Sequence, residues 1–206
     1  MARFITVSKI AFGLAVLFLG GCAVSSNPLR KEVKLLRRGL IKDDTSYVYW
    51  LPYEEDKCYT MIQGYFSAFS HKERAALDFK MRRGSKICAA REGVVVRVKE
   101  DSDQGGWNRK YRPFGNNIVI QHPDGSRGGY WHIQKDGAIV NVGDTVRKGQ
   151  PIALSGKTGY AAFAHLHFLV WDFDKDNKWR QVPTRFQTVR GVKYLKSLRK
   201  YRGTHR

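Results

Sequence analysis

Acidic residues and cysteines are scarce in this chain of 206 residues, and both shortages narrow its possible functions. Aspartate and glutamate number 18 against 37 lysines and arginines, which gives a formal charge of +19 and favours anionic partners. Only three cysteines occur, and neither Cys58 nor Cys88 belongs to a CxxC motif, so a cysteine-based zinc site is not expected. No internal repeat of about 20 to 50 residues stands out, which argues against a solenoid or propeller.

The N-terminal segment has the pattern of an export signal. Arg3 and Lys9 precede an apolar run over residues 10–19, which is too short to cross a bilayer and fits the apolar region of a signal peptide. The run ends in LGGC, which resembles the bacterial lipobox, a motif whose cysteine is lipidated and begins the mature protein. The alternative is an ordinary cleavage site with an incidental cysteine. We therefore expect a signal peptide over residues 1–21 and lipidation at Cys22.

This signal predicts a lipid-anchored protein of the cell envelope, on the outer membrane facing the periplasm if the organism is Gram-negative. An oxidising compartment makes a disulfide between Cys58 and Cys88 reasonable, and two reduced cysteines are the alternative. A basic exported protein meets anionic envelope polymers and phospholipid head groups, whereas nucleic acid is not an expected partner there.

The composition divides the mature chain into three parts. Residues 22–46 read as a tether and a short basic segment, in which residues 28–40 can form an amphipathic helix that packs on the domain or lies on a charged surface. Residues 47–180 contain short runs of β-branched and aromatic residues between turn signals such as HPDG, with no convincing long helix. This pattern predicts a mostly β domain built from antiparallel strands.

Residues 181–206 read as a basic C-terminal tail. The final stretch RGVKYLKSLRKYRGTHR contains no acidic residue, and Val192, Leu195 and Leu198 recur at helical spacing. A short basic helix and a frayed, solvated tail are both compatible with this pattern. Its charge also suggests electrostatic attachment to anionic envelope polymers.

Histidine is rare enough, at six residues, for each one to be weighed. His205 lies in the terminal stretch, and His122 precedes Pro-Asp-Gly in a turn and reads as structural. In the strand-like run AFAHLHFLVW, His165 and His167 share one face because alternate side chains of a strand point the same way. Taken alone, this run is better explained as a half-buried strand whose two histidines form hydrogen bonds with the backbone or with water.

Three residues from separate parts of the chain form a candidate metal site. His71 and Asp78 flank a short loop, and His167 would complete a set of two histidines and one aspartate. Zinc accepts such mixed nitrogen and oxygen ligands, and catalytic zinc sites use three protein ligands with water in the fourth position. The His71 and Asp78 pair by itself is a weak signal.

The order of several motifs is more specific than any one of them. His71 and Asp78 are followed by EGVVVRV, GNNIVIQHPDG, YWHI, VNVGDTVRKGQPIALSGKTG and finally HLHF. Over Gln63 to Trp171, this arrangement resembles the lysostaphin-type (LytM-type) zinc metallopeptidase family, whose members cut peptide bonds in peptidoglycan.

The resemblance implies an antiparallel β-sheet domain with an open substrate groove and one zinc ion per chain. It makes His71, Asp78 and His167 the zinc ligands, and it makes His132 and His165 the catalytic histidines that do not bind the metal. The implied function is hydrolysis of peptidoglycan cross-links by metal-activated water. The alternative is a non-catalytic LytM-type module that binds the cell wall or activates an amidase. The bond that is cut, and whether residues 28–57 cover the groove, stay open at this point.

Overall fold

The computed structural model describes residues 25–41, 47–174 and 176–205. The expected signal peptide, residues 1–21, and the expected lipidation site, Cys22, lie outside these described residues. None of the helices found in the described ranges is long and apolar enough to cross a membrane.

Strands dominate the secondary structure. There is one α-helix, α1 (Leu29–Arg38), within the described residues, and a 3-10 helix follows at Arg109–Phe114. The strands are β1 (Val48–Tyr49), β2 (Cys58–Gln63), β3 (Ala76–Lys80), β4 (Lys86–Cys88), β5 (Gly93–Lys99), β6 (Gly105–Gly106), β7 (Asn117–Gln121), β8 (Arg127–Trp131), β9 (Ile133–Ala138), β10 (Thr145–Val146), β11 (Pro151–Ser155), β12 (Gly159–Tyr160), β13 (His165–Phe173), β14 (Trp179–Val182), β15 (Arg185–Phe186) and β16 (Arg199–Arg202).

The main sheet has nine strands in the order β10-β5-β7-β8-β13-β3-β2-β16, with β14 also paired to β13. Every pairing within this sheet is antiparallel, as is every pairing in the three-stranded sheet β4-β11-β9. Two short pairs, β1 with β15 and β6 with β12, are parallel. The prediction of a mostly β, antiparallel domain is therefore confirmed.

Strand β13 lies near the middle of the main sheet and separates the core from the site. Leu166, Phe168 and Val170 are buried in the hydrophobic core on one face. His165 and His167 alternate with them and point to the other face, as the sequence predicts. Burial of each large apolar side chain contributes roughly 1.5–3 kcal/mol, so the core holds the strand and thereby positions both histidines.

The predicted amphipathic helix forms and packs on the domain. Its Val33 side chain is 2% exposed and belongs to the hydrophobic core. The helix ends at Gly39, which adopts a left-handed conformation with φ +68° and donates its backbone N–H to carbonyls of the last turn. Residues 29–38 therefore pack on the domain and do not lie free on a charged surface.

As far as the structure describes it, to residue 205, the C-terminal stretch is neither a helix nor a frayed tail. Strand β16 pairs with β2 and extends the main sheet. Helical spacing misled the prediction because Leu195 is fully buried, whereas Val192 and Leu198 are 45% and 77% exposed and so share no buried face with it.

Of the two alternatives for Cys58 and Cys88, a disulfide or two reduced cysteines, the structure has the second, and both residues are free thiols. Cys58 begins β2 in the main sheet and is exposed, while Cys88 ends β4 in the three-stranded sheet and is buried. The two residues therefore belong to different sheets and differ in solvent access.

Candidate metal centre

A row of paired residues crosses the main sheet at the candidate site. Asp78 on β3 lies directly opposite Gln63 on β2 and His167 on β13, and His167 in turn lies opposite Trp131 on β8. Residues directly opposite in an antiparallel pair have neighbouring side chains on the same face. Strand register therefore brings together residues that are up to 104 positions apart in the chain.

His71 reaches this row from the loop between β2 and β3. Its side chain is buried, with Nε2 at 3.3 Å from Asp78 Oδ2. The other ring nitrogen, Nδ1, faces the Gly64 carbonyl at 3.4 Å. A carbonyl can only accept a hydrogen bond, so Nδ1 is the donor in this contact and Nε2 is the nitrogen that faces the site.

The donor atoms of His71, Asp78 and His167 all lie within 4.8 Å of one another. His167 presents Nδ1, which is 2.8 Å from Asp78 Oδ1. Nitrogen and oxygen ligands of one tetrahedral zinc ion, with bonds of about 2.0–2.1 Å, lie roughly 3.3 Å apart. The residue types, the burial and the spacing of this set fit one metal ion.

The carboxyl group of Asp78 is buried and charged. Burial alone would raise its pKa, but the neighbouring His71 and His167 imidazoles together hold that pKa well below its usual range. Burial is also the main reason why the pKa of His167 is lowered, although the hydrogen bond that its ring donates to the Asp78 carboxylate acts in the opposite direction. A neutral imidazole beside an ionised carboxylate is the protonation state in which both can bind a metal.

Gln63 is a site residue that the sequence analysis missed. Its Nε2 donates to Asp78 Oδ2 at 2.7 Å and to Ser70 Oγ at 3.0 Å, while its Oε1 accepts the Ser70 backbone N–H at 3.1 Å. These bonds fix the orientation of the amide and, through it, of the carboxylate. No motif marks this glutamine, since its role depends on the register between β2 and β3.

His132 and His165 form a second pair beside the cluster, with ring centroids 4.5 Å apart. Their Nδ1 atoms face backbone carbonyls, His132 at 2.6 Å from Thr158 O and His165 at 2.9 Å from Phe163 O. Because a carbonyl only accepts, each Nδ1 is the donor in its contact, and Nε2 is the nitrogen that is left without a backbone partner. The Nε2 atom of His165 lies 3.8 Å from Asp78 Oδ1.

The backbone of His132 adopts a conformation that is uncommon for residues other than glycine, with φ +68°. Its N–H donates to the Asn116 carbonyl at 2.9 Å, so backbone and ring are both tied to neighbouring loops. Burial, reinforced by the charges of His165 and His167, lowers the pKa of His132 well below its usual range. The ring is consequently neutral near pH 7.

The five sequence-predicted residues line one groove, as the resemblance implies. The groove has a volume of about 370 Å³, and its other lining residues include several aromatic side chains and two arginines, Arg74 and Arg112. Phe69 and Trp107 are 69% and 62% exposed, and their rings lie 5.9 Å apart at its edge. A groove that is open to solvent and rimmed by aromatic residues can accept an extended polymer.

The two remaining histidines lie elsewhere. His122 Nδ1 donates to the Glu92 carbonyl at 2.8 Å within the turn region, which agrees with its predicted structural role. His205, near the C-terminus, packs against the domain: its ring stacks on that of Trp50, with the centroids 4.7 Å apart.

The comparisons with known proteins identify the domain. Residues 72–180 match the model of Peptidase family M23. The match includes Asp78, His132, His165 and His167 and begins one residue after His71.

Two curated relatives and one solved structure illustrate the similarity. The glycyl-glycine endopeptidase ALE-1 of Staphylococcus capitis is 35% identical over 111 residues, covering 53% of this chain and 28% of that protein. The peptidoglycan DD-endopeptidase ShyA of Vibrio cholerae is 36% identical over 91 residues, covering 44% of this chain and 18% of that protein. The catalytic domain of lysostaphin from Staphylococcus simulans is 29% identical, covers 61% of this chain and 87% of that one, and gives a TM-score of 0.42.

The chain thus spans less than a third of the length of these two curated relatives. The family match covers more than half of the chain and agrees with the lysostaphin-type resemblance. The protein belongs to peptidase family M23, a family of metallopeptidases.

Proposed function

We propose that this protein is a zinc-dependent endopeptidase that hydrolyses the peptide cross-links of peptidoglycan. The observation that carries the proposal is the convergence of His71, Asp78 and His167 beside His132 and His165 in one open groove. The two curated relatives named above, a glycyl-glycine endopeptidase and a peptidoglycan DD-endopeptidase, support this reaction class.

His71 Nε2, one oxygen of Asp78 and His167 Nδ1 would hold the zinc ion, each from a buried or half-buried position. Bound zinc would act as a Lewis acid and activate water near neutral pH. The hydrogen bond from His71 Nδ1 toward Gly64 and that from Gln63 to Asp78 would orient the ligands before the metal binds.

His132 and His165 would move the protons of the reaction. Because both Nδ1–H groups are committed to backbone carbonyls, Nε2 is the atom of each ring that can take a proton from water and return it to the departing amine. The burial of both rings keeps these transfers away from bulk solvent. Protonated Nε2 would also donate a hydrogen bond to a developing oxyanion.

The groove suits a carboxylate-bearing peptide attached to sugars. Arg74 and Arg112 supply positive charge to its lining, and Phe69 and Trp107 supply exposed aromatic surface. Arginine pairs well with carboxylates, and aromatic rings pack on extended chains and on sugar faces. Stem peptides of peptidoglycan carry such carboxylates, and we propose them as the substrate class.

The N-terminal sequence supports localisation of this activity to the cell envelope. If Cys22 carries the lipid, a tether over residues 23–28 would connect the membrane to helix α1, and the domain would act on peptidoglycan within reach of its anchor. Metabolic labelling with a fatty-acid analogue, compared between the natural chain and Cys22→Ser, tests this part of the proposal. Equal labelling of both proteins would contradict it.

The experiment that tests the enzyme is mass spectrometry of purified cross-linked muropeptides after incubation with the zinc-loaded protein. We expect cleaved products whose masses identify the bond. A protein that holds equimolar zinc and releases no peptides from these substrates would instead be a non-catalytic module.

Two variants separate metal binding from proton transfer. His71→Ala is expected to lose both zinc and activity. His165→Gln is expected to keep zinc, because His165 is outside the ligand set, and to lose activity by about 100-fold or more. Full activity of folded His165→Gln would contradict the proton-transfer role.

A further inference from the structure

A second cavity, with a volume of about 1210 Å³, lies apart from the groove and shares no lining residue with it. It is formed by the end of helix α1 and by residues 185–202 of the C-terminal stretch. Of its 18 described lining residues, nine are lysine or arginine: Arg37 and Arg38 from the helix and seven from residues 185–202. The fold therefore converts the basic C-terminal sequence into a concave cationic surface.

The charges of this cationic cavity are poorly neutralised. Its described lining residues include no aspartate or glutamate. Arg202 approaches Asp56 at 3.8 Å, but both side chains are mostly exposed and such a pair is weak. Within the described residues, Arg190, Lys193, Arg199 and Lys200 have no ion pair. Residues 42–46, outside the described ranges, hold one lysine and two aspartates in the sequence, whereas the lining itself holds nine basic residues.

Arg37 adds an uncompensated, partly buried charge to the lining of the cavity. Its Nε and Nη2 atoms are buried and have no hydrogen-bond partner among the residues that the structure describes. Burial lowers the pKa of this guanidinium, which shows that its surroundings disfavour the charge. A buried charged group without a partner is costly, and a phosphate oxygen is the type of acceptor that a guanidinium binds best.

Exposed apolar side chains accompany the cations. Ile41, Val189 and Val192 line the cavity and are 39%, 64% and 45% exposed. Leu198 lies in the chain between the lining residues Lys196 and Arg199. It is also exposed, and its backbone adopts a left-handed conformation with φ +61°. A soluble polyanion has no apolar groups that could contact these side chains. A bilayer surface has both phosphates, which bind the cations, and acyl chains, whose boundary can contact the apolar side chains.

We propose that this cationic cavity binds the phosphate head groups of anionic lipids at a membrane surface. The lysines and arginines would bind the phosphates, and Ile41, Val189 and Val192 would contact the acyl boundary. The inference depends neither on lipidation of Cys22 nor on peptidase activity. It would dock one defined side of the domain on the membrane and leave the separate groove accessible.

The test uses the full chain in neutral dodecyl maltoside micelles that contain equal amounts of phosphatidylglycerol and phosphatidylcholine. Native mass spectrometry then counts the lipids that stay bound to the protein after release from the micelle. We expect phosphatidylglycerol to be retained over phosphatidylcholine by about fivefold or more, with a preference that decreases as ammonium acetate is raised.

The cavity variant replaces Arg190, Lys193, Arg199 and Lys200 by Gln and is expected to lose the preference. A matched control replaces Lys72, Arg97, Lys135 and Arg147 by Gln; all four are exposed, and none lines the cavity. This control removes the same charge and should keep the preference. Equal loss in both variants would mean that net charge alone binds the lipid, and the proposal would be wrong.

A milder variant, Val189→Ser with Val192→Ser, changes only exposed side chains and guards against failure of the cavity variant to fold. We expect it to lower phosphatidylglycerol retention while leaving binding of tripolyphosphate unchanged. If the natural chain retains tripolyphosphate but not phosphatidylglycerol, the ligand is a soluble phosphate polymer and the lipid proposal is overturned. Retention of neither would overturn the site itself.

Discussion

Single residues at the site are held in place by hydrogen bonds and close polar contacts. Asp78 is the clearest case, because His167 contacts its Oδ1, while Gln63 and His71 contact its Oδ2. Removing a carboxylate from water costs several kcal/mol unless such partners compensate. The same contacts that make burial of Asp78 tolerable also hold it in a position to bind metal.

The amide of Gln63 should therefore control metal affinity without touching the metal. Gln63→Leu removes the hydrogen bond to Asp78 Oδ2 and frees the carboxylate to rotate. We expect zinc affinity to fall by about 10–100-fold, measured by competition with a chromophoric chelator. Ser70→Ala is the control, since Ser70 contacts Gln63 but not Asp78 and should change affinity by less than about threefold. Unaltered affinity in Gln63→Leu would contradict this positioning role.

The two described cysteines should differ sharply in reactivity. Burial raises the pKa of the Cys88 thiol to about 12, whereas Cys58 is exposed. Only a thiolate reacts quickly with iodoacetamide, so peptide mapping of the folded protein should find Cys58 modified and Cys88 protected. In 8 M urea both should react. A linked Cys58 and Cys88 peptide in a non-reducing digest would contradict the free thiols.

At the scale of the secondary-structure element, successive side chains of β13 point alternately into the hydrophobic core and into the groove. One face contributes Leu166, Phe168 and Val170 to the core, and the other presents His165 and His167. The sequence alone predicts this division, because a period of two is visible in AFAHLHFLVW. It does not reveal that β3 and β8 flank β13, since strand pairing between distant segments leaves no local pattern.

The buried face of β13 should dominate the stability of the domain. Phe168 is fully buried among Tyr49, Tyr130 and Phe186, so Phe168→Ala should lower the free energy of unfolding by about 3–5 kcal/mol in urea titrations. Phe173 lies at the exposed end of the same strand, and Phe173→Ala is expected to cost about 1 kcal/mol or less. Similar losses at the two positions would argue against this orientation of β13.

At the scale of the whole molecule, the groove and the cationic cavity are separate surfaces built from different parts of the chain. The groove uses β3, β8, β13 and the loops around them, whereas the cavity uses α1 and the C-terminal residues. Strand β16 connects the two regions by pairing with β2, the strand that carries Gln63. The C-terminal residues therefore support the main sheet in addition to forming the cavity.

Global stability should decrease as the pH falls below about 6.5, partly because of His122. Burial lowers the pKa of this histidine to about 4, its Nε2 has no partner within the described residues, and Arg91, Asp124 and Glu92 surround it. Between pH 4 and 6.5 the unfolded chain binds the proton and the folded chain does not, so unfolding is favoured as the pH drops. The contribution of His122 to the free energy of unfolding should decrease by about 2 kcal/mol as the pH is lowered from about 7.5 to 5.

Comparison of the natural chain with His122→Asn separates this effect from that of the other buried histidines, because only His122 is changed. Asn does not titrate in this pH range, and its amide can still donate a hydrogen bond to the Glu92 carbonyl. The variant should show a flatter dependence of its unfolding free energy on pH in urea titrations. Parallel curves for the two proteins would show that His122 does not contribute.

The sequence by itself determined the mostly β class, the amphipathic helix, the two faces of β13 and the five residues of the candidate site. These features follow from local periodicity or from the order of motifs. Only the tertiary structure decided the role of Gln63, the free state of the two cysteines and the folding of the C-terminal residues around a cationic cavity. Each of these depends on strand register or on burial between distant segments, and such long-range contacts are not encoded in the spacing of neighbouring residues.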